Sequence, residues 1–298
     1  MTEFLQLVVN GTALGFKYAL VALGFVIIFK ATGVINFAQG GFVMLGAYLT
    51  YQFGTTWGLP FAVAVLLAMV ATALSGLVVE RLILRRMVGR PPFALIMITI
   101  GMLFIIQEIV TLIWGFDALN LGDPWGLETV QVGEIIIRVS DLWTVGLALV
   151  ALGVFFAFFR FTSLGLAMRA TALDQEAALA QGMSAKRVFA SSWAIAGAVA
   201  ALAGVTIAAG PANLTPGVQF LALLAFPAII LGGLDSPGGA IVGGVIIGIT
   251  QTLTAGYQGD YAAFLGPNFQ TVMPFVIMVL ILLVRPYGLF GTKEVKRI

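Results

Sequence analysis

The sequence predicts an all-α polytopic membrane protein, on the strength of its composition, its long apolar runs and the placement of its basic residues. Of 298 residues, 60% are hydrophobic and only 9% charged, with a mean hydropathy of +1.07. Soluble chains carry roughly 25% charged residues. Several runs reach or approach the roughly 20 residues that cross about 30 Å of hydrocarbon. Cysteine and histidine are both absent, which excludes disulfides, thiol nucleophiles, histidine-based zinc motifs and the usual general base, so membrane enzymology is not expected. The start "MTEFLQLVVNG" has no basic region and no small-residue cleavage site, so a cleaved signal peptide is not expected either.

About nine apolar segments follow, near 7–29, 34–53, 59–79, 93–115, 142–160, 188–210, 219–232, 239–256 and 269–284. They form one transmembrane domain over 1–298. Alternating them with the amino terminus outside puts 13 of the 15 basic residues on the inner side, from Lys30 through Arg81, Arg85, Arg86 and Arg90 to Lys296 and Arg297. That bias is the positive-inside signature, and it makes the carboxyl terminus cytoplasmic. Arg138 faces out, in an extracytoplasmic loop over 116–141, and Lys17 is intramembrane.

Two segments are short or broken, and they resemble each other. "NFAQGGFVMLGAYL" (Asn36–Leu49) and "LDSPGGAIVGGVII" (Leu234–Ile247) share a polar lead, a Gly-Gly pair at 40/41 and 238/239, and a further glycine at 46 and 244, all at an offset of 198. Glycines of this kind serve plain helix packing. Alternatively, each marks a broken helix whose freed backbone lines a polar cavity, as in transporter repeats. On that reading Asn36, Phe37, Gln39, Gly40, Gly41, Asp235 and Ser236, together with the first segment, line a translocation path. Asn36 and Gln39 serve equally well as interhelical hydrogen bonds.

Between the fifth and sixth segments lies "RATALDQEAALAQGMSAKRV" (Arg169–Val188), short, charged and alanine-rich. Thr171 fits an N-cap with Asp174 as its N3 partner, and Gly182 a left-handed stop. The helix between them, near 172–182, is roughly 15 Å long, half of what spanning requires. It lies at the cytoplasmic surface, where Asp174, Ala178 and Gly182 share a stripe flanked by Ala177, a ridge that fits a groove on a partner.

"EAALAQG" (Glu176–Gly182) resembles the loop by which permeases of ATP-binding-cassette importers dock their ATPases, although the Leu-Pro that often follows is absent. More extensively, "NGTALGFKYALVALGFVIIFKATGVINFAQGGFVMLGAYL", "LGLAMRATALDQEAALAQGMSAKRV", "AIILGGLDSPGGAIVGGVIIGITQTL" and "LLVRPYGLFG" resemble the branched-chain amino acid (Liv-type) permeases over nearly the whole chain. The resemblance implies a bacterial inner (plasma) membrane importer with a homologous second permease subunit, two ATP-binding subunits and an extracytoplasmic solute-binding protein. Its solutes are branched-chain amino acids or related small amino acids, amides or carboxylates. ATPase coupling then falls to Asp174, Glu176, Ala177, Ala178 and Gly182. ATP and Mg are expected on the partner ATPases, and this chain is expected to bind no cofactor, metal or nucleic acid.

The residues themselves supply no engine, because no G-x-x-x-x-G-K-[ST] phosphate loop occurs. The other class that fits is an ion-coupled secondary transporter or channel, which usually needs buried carboxylates; Glu108 is the one read clearly within a span. Lys17 stands near the middle of the first span, where a lysine costs roughly 2.5–3.5 kcal/mol on insertion scales. A partner is therefore expected, and depth points to Glu108. Lys17 serves either in that ion pair or on the translocation path, attracting a solute carboxylate.

Overall fold

A computed structural model describes residues 2–87, 90–173, 178, 180–210, 212–266 and 268–291. Among them the chain is a bundle of α1 (Thr2–Thr32), α2 (Gln39–Tyr51), α3 (Phe61–Leu82), α4 (Pro92–Trp114), α5 (Val139–Phe161), α6 (Ser163–Leu173), α7 (Ala185–Ala208), α8 (Val218–Leu223), α9 (Phe226–Gly232), α10 (Pro237–Tyr261) and α11 (Phe269–Val284). Six of the nine expected segments are helices long and apolar enough to cross a membrane: α1, α3, α4, α5, α7 and α10. The second, seventh and ninth are shorter, falling on α2, on α8 with α9, and on α11.

The expectation of helix alone needs one correction. Strands β1 (Thr129–Val132) and β2 (Ile135–Arg138) pair antiparallel, Thr129 opposite Arg138 and Val132 opposite Ile135. β-Branched residues on both sides of a two-residue turn favour this hairpin, and Gly133 takes the positive φ of 63°. The loop therefore ends as a strand that feeds directly into α5.

α1 and α7 are the most buried long helices, and the others are laid on them through small residues. A methyl at Gly197 of α7 would sit 2.6 Å from Thr72 O of α3, and one at Gly15 of α1 would sit 2.6 Å from Val245 Cα of α10. Where lipid is as apolar as leucine, close backbone approach of this kind supplies the dispersion energy that holds helices together. The outer faces are apolar and exposed, as on α3, where Leu66, Val70, Leu74 and Val78 point away from the bundle.

The two similar glycine segments pack on different central helices. Gly46 of α2 lies on Ala201 of α7, whereas Gly244 of α10 lies on Gly15 and Ala19 of α1. Each begins a helix just after a break: α2 follows the non-helical stretch 33–38, and α10 follows 233–236.

Candidate translocation site

The first break turns the chain back into the bundle. α1 ends at Gly33, whose φ of 69° is left-handed; there a side chain would be strained. The freed backbone donors find partners: Phe37 N–H donates to Thr99 Oγ1 at 3.2 Å and Ala38 N–H to Asn36 Oδ1 at 3.1 Å. α2 then starts deep. The side chain of Gln39 occupies the space that a Cβ on Gly24 would need, and Gly24 lies about 12 Å along α1 from its end. From there Gln39 Nε2 donates to Ala196 O of α7 at 3.3 Å. Gln39 thus ties α1, α2 and α7 and is fully buried. The adjacent glycines are also packed: a Cβ on Gly40 would meet Gln219 O at 2.8 Å, and one on Gly41 would meet Ile106 at 3.2 Å.

The second break sits against the first. Lys30, in the last turn of α1, donates from Nζ to Asp235 O at 3.2 Å and lies over the Phe159 ring. Phe37 stacks on Phe226, with centroids 5.2 Å apart and planes 17° from parallel. Ser236 caps α10, accepting from Gly239 N–H at 3.0 Å. The tail of the chain completes this break: Leu289 N–H donates to Leu231 O at 2.8 Å and Phe290 N–H to Gly232 O at 3.1 Å. These bonds satisfy carbonyls that end α9, as a buried helix terminus requires. "RPYGLFG" is therefore a clip across the second break.

Two cavities open beside the breaks. One of about 260 Å³ is bordered by Asn36 and by Arg85, Arg90, Thr99 and Trp193. A larger one, of about 940 Å³, is bordered by Lys30, Arg169, Asp235 and Tyr287. Asn36 and Asp235 thus border cavities, while Gln39, Gly40 and Gly41 are enclosed by neighbouring helices.

Lys17 lies away from both breaks. Its Nζ is 3.5 Å from Asp141 Oδ1, and Arg138 Nε is 2.9 Å from the other oxygen of that carboxylate. The pairing with Glu108 is therefore corrected. Glu108 is on the exposed face of α4, whereas Asp141 is buried in the first turn of α5. The depth argument failed because α1 has 31 residues and is about 46 Å long, well over the hydrocarbon thickness. Its first turns lie along the hairpin, where Gln6 exchanges two hydrogen bonds with Ile136. α1 is thus longer than a span requires, so a residue's position along it does not fix a depth in the membrane. A helical side chain also leans toward the N-terminus, which carries the ammonium toward Asp141. In the sequence Asp141 belongs to the predicted extracytoplasmic loop, where a carboxylate gives no sign of pairing with a helix residue.

In the segment expected to couple to an ATPase, Asp174, Glu176 and Ala177 lie outside the described residues. Thr171 is not an N-cap: it belongs to α6, and its Oγ1 donates to Ala167 O at 2.8 Å. α6 is capped by Thr162 Oγ1, which accepts from Gly165 N–H at 3.0 Å, and 174–177 and 179 of the helix expected near 172–182 lie outside the described residues. Ala178 is buried. Gly182 has a φ of 80°, and Met183 N–H donates to Ala178 O at 3.1 Å, the six-to-one bond of a glycine helix stop. Ser184 then caps α7.

A family model described as branched-chain amino acid transport system, permease component, matches residues 7–282. The chain belongs to this permease family. Among similar proteins, the high-affinity branched-chain amino acid transport system permease protein LivH of Escherichia coli (strain K12) is 32% identical over 99% of this chain and 98% of its own length. The corresponding protein BraD of Pseudomonas aeruginosa is 30% identical over 99% and 98%. Of solved structures, PsaBC from Streptococcus pneumoniae in complex with Fab superposes with a TM-score of 0.46 at 15% identity, covering 93% of this chain and 90% of that one. The relatives are permease components of transport systems, not enzymes. As a Liv-type permease the chain is a multi-pass membrane protein of an ATP-binding-cassette system that has other subunits.

Proposed function

We propose that this chain is one membrane subunit of an importer for branched-chain amino acids, or for a related small amino acid, amide or carboxylate. On this reading two separate ATP-binding subunits, holding ATP and Mg, drive it; a homologous second permease completes the path, and an extracytoplasmic solute-binding protein delivers the solute. The site is the bacterial inner membrane, with the amino terminus outside and the carboxyl terminus cytoplasmic. The observation that carries the reading is the family match over nearly the whole chain. The absence of a phosphate loop in the sequence supports a separate engine. The route runs past the two breaks, with Asn36, Phe37, Asp235 and Ser236 beside it and Gln39, Gly40 and Gly41 holding α2 in place. Lys17 either steers a solute carboxylate at the far end or serves structure alone. Docking of the ATPase uses Ala178 and Gly182 with Asp174, Glu176 and Ala177.

The test is reconstitution of the chain with a homologous second permease, two ATPases and a solute-binding protein from its source. ATP-dependent accumulation of radiolabelled L-leucine, L-isoleucine or L-valine supports the reading. Uptake that persists without ATP and follows a proton or sodium gradient overturns it in favour of a secondary transporter.

A further inference from the structure

The 260 Å³ cavity beside the first break joins three features. The first is a buried, unfilled donor: Asn36 borders it and is buried, and its Nδ2 has no hydrogen-bond partner among the described residues. A buried amide left unpaired is destabilising, and a ligand acceptor would relieve it. The second is a pair of opposite charges on one wall. Glu80 is buried, and Arg85 holds it in a two-pronged pair, Nε to Oε1 at 3.1 Å and an Nη to Oε2 at 2.7 Å. Arg85 is thereby committed, whereas Arg90, also on the wall, has no side-chain bond among the described residues. The third is an apolar wall that includes Ile28, Leu95, Phe189 and Trp193.

These features are complementary to a small zwitterion with a hydrocarbon tail. A carboxylate takes a guanidinium and an amide donor, and an ammonium takes the lone pairs that Glu80 keeps beyond its two bonds to Arg85. The volume falls just below the roughly 300 Å³ at which sites for drug-sized ligands begin, so the occupant is of amino-acid size. We propose that this cavity is a solute-holding site, with Asn36 Nδ2 and Arg90 on the carboxylate, Glu80 on the ammonium, and Leu95, Phe189 and Trp193 around the aliphatic side chain. The inference rests on the importer reading for the choice of solute.

Trp193 makes the site observable. The assembled complex, in lipid nanodiscs without the solute-binding protein, is titrated with L-leucine, with 4-methylpentanoate, which lacks the ammonium, and with 3-methylbutylamine, which lacks the carboxylate. A saturable change in tryptophan fluorescence is expected, and Trp193→Phe should remove it. Arg90→Gln should weaken L-leucine and 4-methylpentanoate about tenfold or more and leave the amine unchanged, and Arg90→Lys should recover part of the loss. Glu80→Gln should weaken the amine but not the acid; because it also breaks the pair with Arg85, the Arg90 variants carry the test. No saturable change, a change that survives Trp193→Phe, or unaltered L-leucine binding in Arg90→Gln overturns the proposal. ATP-dependent leucine uptake by the same complexes separates the two readings: if uptake is intact while the fluorescence outcomes fail, the cavity assignment falls and the importer reading stands. If no branched-chain amino acid is taken up, the choice of branched-chain amino acids as the solute falls, and the cavity assignment falls with it.

Discussion

Lys17 and Asp141 form an ion pair across α1 and α5, with Nζ 3.5 Å from Oδ1, and Arg138 shares the same carboxylate from its other side at 2.9 Å. One buried carboxylate therefore bridges two cations, and the cluster keeps one net positive charge. The consequences of losing each partner differ. Asp141→Asn leaves Lys17 and Arg138 facing each other and should cost about 3 kcal/mol, as breaking a buried pair does. Lys17→Met leaves Asp141 with Arg138 and removes an ammonium from a largely apolar site, so its cost should be about 1 kcal/mol or less. Equilibrium unfolding in mixed micelles should place the double variant closer to wild type than the sum of the single changes. Strict additivity would show that the pair is not coupled, and a raised apparent transport constant in Lys17→Met would put the lysine on the solute's route.

The α1–α10 crossing should tolerate no side chain. Gly15→Val places carbon 2.6 Å or closer to the Val245 backbone, and backbone cannot swing aside as a side chain does. Overpacking costs typically about 1–3 kcal/mol, and separation of the two helices would lose more. Gly153→Ala is the control, because a Cβ there meets nothing within 4 Å; its stability should stay within about 0.5 kcal/mol of wild type. The paired melting curves of the purified chain give the answer, and equal stability for the two variants would mean that α1 and α10 do not pack this way.

Much of this architecture is legible in the sequence because membrane helices announce themselves by length and apolarity, and because glycine repeats such as Gly46 and Gly244 mark close crossings. What is illegible depends on tertiary partners. Apolarity shows where α1 lies but not that its first turns run along a hairpin, so counting residues along the helix points from Lys17 to Glu108 rather than to Asp141. The hairpin reads as loop because its eight strand residues are a weak signal beside helices of more than twenty. Gln39 reads equally well as path or packing until Gly24 and Ala196 are seen around it. Glu80 and Arg85 sit at a helix end where charges are ordinary, and their burial is a property of the fold.

Thiol labelling should separate cavity residues from packed ones. The chain contains no cysteine, so single cysteines report alone. Cysteines at 36 and 235 border cavities and should react with a water-soluble thiol reagent in at least one transport state. Cysteines at 40 and 41, enclosed by Gln219, Leu103 and Ile106, should stay inert in every state. Rapid labelling at 40 or 41 would show that α2 moves away from α4 and α8 during transport, and that those glycines belong to the path.

Gly182 offers the most direct access to coupling. It ends the segment proposed to dock the ATPase with a φ of 80° and the Met183 to Ala178 bond, and a Cβ there would meet nothing within 4 Å. Space is therefore not the issue within this chain; conformation is. A β-branched residue is strained by roughly 1–2 kcal/mol in the left-handed region, whereas asparagine visits it readily. Gly182→Val should shift the direction in which the chain enters α7 and leave the six transmembrane-length helices intact, so the variant should still insert and purify. Gly182→Asn should preserve the turn. If the segment docks the ATPase, Gly182→Val should lose most transport-linked ATP hydrolysis in the reconstituted complex, and Gly182→Asn should keep at least about half of it. Loss in both variants would point to contact of the partner with the bare glycine rather than to the turn, and retention in both would remove Gly182 from the coupling surface.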